Sequence, residues 1–119
     1  MTVIDYLRKA PLVFRNGITL LKCKVGLGMH YAISHEYDLA KQYLESGYNL
    51  GKKVELPPIT AFSAYILACI FAKTNDTQNS VKYLAESIKL TPRYKEKAKH
   101  DPSFENIRED RRFRNIVGR

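Results

Sequence analysis

Residues 60–92, TAFSAYILACIFAKTNDTQNSVKYLAESIKLTP, hold two apolar-periodic segments with a break between them. In the first segment Phe62, Tyr65, Ile66, Cys69 and Lys73 recur on one side of a helix, and Ala64, Leu67, Ala68 and Phe71 on another. A helix apolar nearly all round is predicted to be mostly buried. Asn75 and Asp76 break the pattern, and Asp76 is a good N-cap because its carboxylate can accept a bond from an otherwise orphaned backbone amide. The helix that follows puts Val81, Leu84 and Ile88 on one stripe with Ser80 and Ser87 beside it, and Pro92 stops it. Small residues (Ala64, Ala68, Ser80, Ser87) stand where a bulky one would hold the helices apart. The segment is therefore predicted to be a helical hairpin.

The same pattern occurs forty residues earlier. Leu27 pairs with Leu67, Gly28 with Ala68, Tyr31 with Phe71 and Ala32 with Ala72. In the second helices Glu36 pairs with Asp76, Ala40 with Ser80, Tyr43 with Tyr83, Leu44 with Leu84, Gly47 with Ser87 and Leu50 with Leu90. Self-similarity at a fixed period marks a repeat architecture. The helices are expected at 18–34 with 37–50 and at 58–74 with 77–90, in an all-α fold.

The run of Leu67, Ala68, Phe71, Ser80, Leu84, Ser87 and Pro92, with its earlier copy, resembles the tetratricopeptide repeat family. The resemblance implies an α-solenoid of two hairpins and a role in binding other proteins. The family's repeat is 34 residues long, so an offset of forty leaves about six extra, expected within 51–59 around Lys52, Lys53, Pro57 and Pro58. The first repeat also has Lys52 where the family's closing Pro would stand. A longer joint is expected to loosen the packing between hairpins. The layout is then one domain over 1–119: a cap at 1–17, repeat one at 18–53, a linker at 54–59, repeat two at 60–92 and a C-terminal cap at 93–119.

Outside the hairpins, residues 2–10 suit a short helix, and Pro11 with Asn16 and Gly17 argues for a bend before Ile18. Residues 93–100 form a weakly amphipathic helix, and the remaining tail is similar to the end often found after the last repeat in bacterial proteins of this kind. Phe104, Ile107, Phe113 and Ile116 are expected to act as a lid over the flank of the last repeat, with Arg108, Arg111, Arg112 and Arg114 facing water.

The chain has 119 residues, is 45% apolar and 11% aromatic, and carries a net charge of +8, enough apolar content for a packed core. Residues 1–34 hold five Lys/Arg against one acid, 35–92 six against six, and 93–119 nine against five, so the excess sits at the two ends. Such a balance attracts nucleic acid, an anionic membrane surface or an acidic protein. Cys23 and Cys69 have no CxxC or Cys/His spacing, which argues against a disulfide framework or a zinc site and fits a reducing compartment such as the cytoplasm. Neither a signal-peptide pattern nor a run of 18 apolar residues is seen, so a soluble, unexported protein is expected.

No nucleophile elbow, HExxH or P-loop is present, and Gly26, Leu27 and Gly28 lie inside a helical pattern rather than after a strand. His30 and His35 are five apart and share no helix face, while His100 is remote. No catalysis, cofactor or metal is expected.

The resemblance implies a concave face built from the first helix of each repeat. Here that face carries Lys22, Val25, Met29 and Ile33 in one repeat and Phe62, Tyr65, Cys69 and Lys73 in the other, with Arg93 grouped beside them. Apolar anchors with Lys at the margins suit an extended or helical peptide. The competing interpretation is that these residues fill the core of a short solenoid. Val25 and Met29 stand where the family's carboxylate clamp needs polar donors, so that activity is not implied.

The expected function is a non-catalytic adaptor or accessory subunit that binds a protein segment. The alternative is a nucleic-acid- or ribosome-associated protein using Lys95, Lys97, Lys99, Arg108, Arg111, Arg112, Arg114 and Arg119, with Tyr94 or Phe113 stacking on a base. Acids are interleaved there, and no RNP or GXXG motif appears. Two repeats are few for a continuous core, and Phe62 and Tyr65 are expected to stay uncovered, so membership of a larger assembly or self-association is expected.

Overall fold

The computed structural model describes residues 12–118, with side chains from residue 18 onward. The elements are α1 (Leu12–Ile33), α2 (Tyr37–Lys53), α3 (Pro57–Lys73), α4 (Thr77–Leu90), α5 (Tyr94–His100), a 3-10 helix (Pro102–Ile107) and α6 (Arg111–Val117). The fold is all-α, with no strand among the described residues. The short helix expected at 2–10 lies outside the described residues. No bend occurs at Asn16 and Gly17, which lie inside α1.

Two antiparallel hairpins, α1 with α2 and α3 with α4, stack through α2 and α3, and the lid closes over α3 and α4. The forty-residue offset appears in the contacts. Tyr31 stacks on Tyr43 with centroids 5.6 Å apart, and the matching pair Phe71 and Tyr83 stacks at 5.7 Å. Small residues set the helix separation in both hairpins: a Cβ on Gly28 would lie 2.5 Å from Leu44 Cγ. In the second hairpin the buried Ser80 and Ser87 do more than save space. Their hydroxyls donate to the backbone carbonyls of Ala68 at 2.7 Å and Ala61 at 3.0 Å, tying α4 to α3. Buried hydroxyls satisfied in this way avoid the desolvation cost of an unpaired polar group.

The joint between hairpins differs from expectation. Residues 54–56 make a three-residue turn, and Pro57 and Pro58 start α3 rather than forming a linker. Proline suits this place because the first helical amides have no intrahelical partner. The turns at 34–36, 54–56 and 74–76 are alike: His35, Glu55 and Asn75 have φ of 62°, 56° and 62°. In each, the next amide bonds five residues back, Glu36 to Tyr31 (2.8 Å), Leu56 to Gly51 (3.0 Å) and Asp76 to Phe71 (2.8 Å), in the Schellman pattern. The extra residues lengthen the helices instead of loosening the joint.

Most of the helix α3 is buried because α2, α4 and the lid pack around it, which accounts for its lack of a polar face. The lid forms as expected: Phe104, Ile107 and Phe113 are buried, joined by Val117, with Ile116 partly buried. Arg108 does not face water. It is half-buried and donates to the carbonyl oxygens of Lys99 and of Asp101 (2.8 Å), satisfying groups left open at the end of α5.

Candidate functional site

A groove of about 290 Å³ opens where the C-terminal end of α1, the start of α2, one face of α3 and the lid meet. Met29 and Ile33 of α1 form one wall, and Ile33 is 75% exposed. Ile66, Cys69 and Ile70 form the floor, which Lys73 continues one turn further along α3, and Lys97 lines the groove from the lid. At the mouth, the His35 ring Nδ1 lies 2.9 Å from the Tyr37 hydroxyl.

The lid builds the far end. Tyr65 stacks on Tyr94 at 4.7 Å and meets Phe104 edge-on at 5.8 Å. Its hydroxyl donates to Asp101 Oδ2 at 2.6 Å, while Asp101 Oδ1 accepts from the Ser103 amide at 2.9 Å. Lys97 Nζ lies over the Tyr65 ring at 5.1 Å. Burial, with the carboxylate beside it, pushes the Tyr65 phenol above its ordinary value. Burial alone would raise the Asp101 carboxyl, yet the hydrogen bonds from Tyr65 and Ser103, helped by Lys97, hold it below. The Cys69 thiol is pushed up to about 12, first by burial and then by Asp101. A thiol so placed is protonated at neutral pH and therefore a poor nucleophile.

Five of the residues expected on the concave face meet here: Met29, Ile33, Tyr65, Cys69 and Lys73. The others do not. Val25 is buried in the core of the first hairpin, and Phe62 is half-buried against the same cluster. Lys22 lies at a separate hollow of about 210 Å³ beside Ile18, Leu56 and Pro58. Arg93 sits 5.7 Å from the Tyr94 ring, outside the groove. Tyr65 is not uncovered: it is 1% exposed, because Tyr94, Phe104 and Asp101 close over it. The expected open patch around Phe62 and Tyr65, and the assembly inferred from it, lose that support.

Tyr37, Lys97 and Asp101 belong to the groove but were not grouped with it from the sequence. Asp101 had a local signal, since Asp before Pro-Ser is a helix-capping pattern, but its bond to Tyr65 is not local. The basic tail also changes character. Arg112 pairs with Asp110 at 3.1 Å and Arg114 with Glu109 at 3.0 Å. Tyr94 and Phe113, the residues proposed to stack on a base, are buried. A larger hollow of about 420 Å³ in the lid has Lys99 and His100 paired with Glu96, so its charges are largely met internally.

Among the described residues, no helix is long and apolar enough to cross a membrane. Comparison with protein-family models, with curated proteins and with solved structures found no match.

Proposed function

We propose that the chain is a non-catalytic protein-binding module, built like a short tetratricopeptide array, whose groove takes an apolar segment with an acidic residue beside it. The observation that carries this is that Met29 and Ile33, the latter 75% exposed, line one groove together with Lys73 and Lys97. Neither lysine has a carboxylate within 4.0 Å among the described residues. A large aliphatic side chain held in water gains by docking, and cations without a salt bridge at the margin orient an acidic partner. Asp101 does not cancel them fully, since its oxygens are turned toward Tyr65 and Ser103.

The nucleic-acid alternative has less support, because Arg108, Arg112 and Arg114 already bond within the chain and the tail's aromatic rings are buried. The test is affinity isolation from the native source with wild-type chain, Met29→Glu, Lys73→Glu and Lys95→Glu/Arg111→Glu. A protein partner retained by the tail variant and lost from the two groove variants is expected. Loss on tail reversal with retention by the groove variants would refute the assignment.

A further inference from the structure

At neutral pH the charged side chains lining the groove are two lysines, Lys73 and Lys97, and one carboxylate, Asp101, a net charge of +1. None of the three is placed to change this near neutrality: Asp101 is held below the ordinary carboxyl value, and lysines stay charged there. The Tyr65 phenol and the Cys69 thiol are both pushed up by burial and stay neutral, as does the Tyr37 phenol at its mouth. The remaining titratable group of the lining is His35. Histidine is the side chain that changes charge between about pH 5 and 8.

The His35 ring has a fixed seat. Its backbone stands at φ 62° in the turn at 34–36, closed by the Glu36 amide on the Tyr31 carbonyl at 2.8 Å. Its ring meets the Tyr37 ring edge-on at 5.8 Å, with Nδ1 2.9 Å from the Tyr37 hydroxyl. A phenol hydroxyl donates to a bare Nδ1 or accepts from a protonated one, so this contact survives both states and only the charge changes. The turn itself does not call for histidine, because Glu55 and Asn75 hold the matching places in the other two. Among the neighbouring charges, Glu36 accepts from the Ser34 hydroxyl at 2.9 Å and does not line the groove, and α1 lines it only with Met29, Ala32 and Ile33. The charges that share the groove with His35 are therefore Lys73 of α3 and Lys97 and Asp101 of the lid.

We infer that His35 is a pH switch on the groove: its protonation takes the lining from +1 to +2 and tightens the hold on an acidic apolar partner as pH falls from about 8 to about 5.5. This rests on the reading of the groove as a site for an apolar segment with an acidic residue.

The test titrates two probes into the full chain, below micelle formation, and follows the Met29 methyl resonance. Octyl sulfate carries an apolar tail and a head group that stays anionic throughout, and octyl glucoside carries the same tail without charge. Affinity for octyl sulfate is expected to rise about three- to fourfold from pH 8 to pH 5.5, the effect of one added charge roughly 5–6 Å away in water, while that for octyl glucoside stays level. His35→Asn should keep the affinity seen at pH 8 and lose the rise; Asn75 at the matching turn shows that this backbone accepts asparagine. A level octyl sulfate affinity in the parent chain, a rise that persists in His35→Asn, or an equal rise for octyl glucoside would each overturn the switch and leave the groove reading standing. A Met29 resonance that neither probe moves at any pH would overturn the groove reading and the switch with it.

Discussion

Two glycines of α1, two residues apart, should respond to alanine with opposite signs. A Cβ at Gly28 would sit 2.5 Å from Leu44 Cγ, 2.8 Å from Leu44 Cδ2 and 3.3 Å from the Leu44 amide nitrogen. Leu44 is wholly buried among Leu21, Val25, Ala40, Leu67 and Ile70, so it has nowhere to swing. Overpacking of that kind costs about 1–3 kcal/mol, and with a backbone atom among the close contacts we take about 2–3. Replacing a helical Gly by Ala returns about 1 kcal/mol, leaving Gly28→Ala about 1–2 kcal/mol less stable than the parent. A Cβ at Gly26 would meet nothing within 4 Å, so Gly26→Ala keeps the whole gain of about 1 kcal/mol. Both substitutions remove the same freedom from the unfolded chain, and the difference between them, about 2–3 kcal/mol, isolates the contact with Leu44. Urea denaturation followed by far-ultraviolet circular dichroism measures it. A Gly28→Ala chain as stable as Gly26→Ala would refute the packing described for the first hairpin.

Further predictions concern the lid and the turns. Tyr65→Phe removes a donor from a carboxylate and should cost about 1.5–3 kcal/mol in the same denaturation assay, with Phe104→Ala costing about 3–5. The Asp101 carboxyl lies below its ordinary 3.8 and the Tyr65 phenol above its ordinary 10.0. Asp101 therefore contributes stability that is present above about pH 4 and lost as pH falls through its lowered value, and Tyr65 contributes stability present below about pH 10 and lost above it; Tyr65→Phe should flatten the alkaline limb of the stability–pH curve. At neutral pH a maleimide should modify Cys23 and leave Cys69 untouched in the folded chain, read by mass spectrometry. Glu55→Gly should stabilise by about 0.5–1 kcal/mol because Glu is held at φ 56°, whereas Asn75→Gly should change little, since Asn tolerates that region.

What the sequence disclosed depended on how local the cause was. The hairpins and their offset were legible because the apolar period and the Asp76 cap lie within short segments and the offset matches Tyr31 to Phe71 and Tyr43 to Tyr83, whose rings then stack alike within each hairpin. The joint was not: Pro57 and Pro58 start a helix as readily as they fill a linker, and Glu55 gives no sign of a left-handed turn. The site was half legible. Met29, Ile33, Cys69 and Lys73 follow from the family resemblance and the forty-residue offset, but the cover over Tyr65 comes from Tyr94, Asp101 and Phe104, whose approach is set by how the lid folds back across α3. Helical periodicity also cannot separate a face that lines a groove from one that fills a core, which is why Val25 and Phe62 were grouped with it.

The central claim is that a partner protein sits in the groove between α1 and the lid. Hydrogen–deuterium exchange on the full chain, alone and with the protein isolated on it, tests this most directly. Slower exchange is predicted in peptides covering residues 29–37 and 66–73, with residues 108–117 unchanged. Slower exchange confined to 108–117, or abolished by nuclease treatment of the complex, would contradict it.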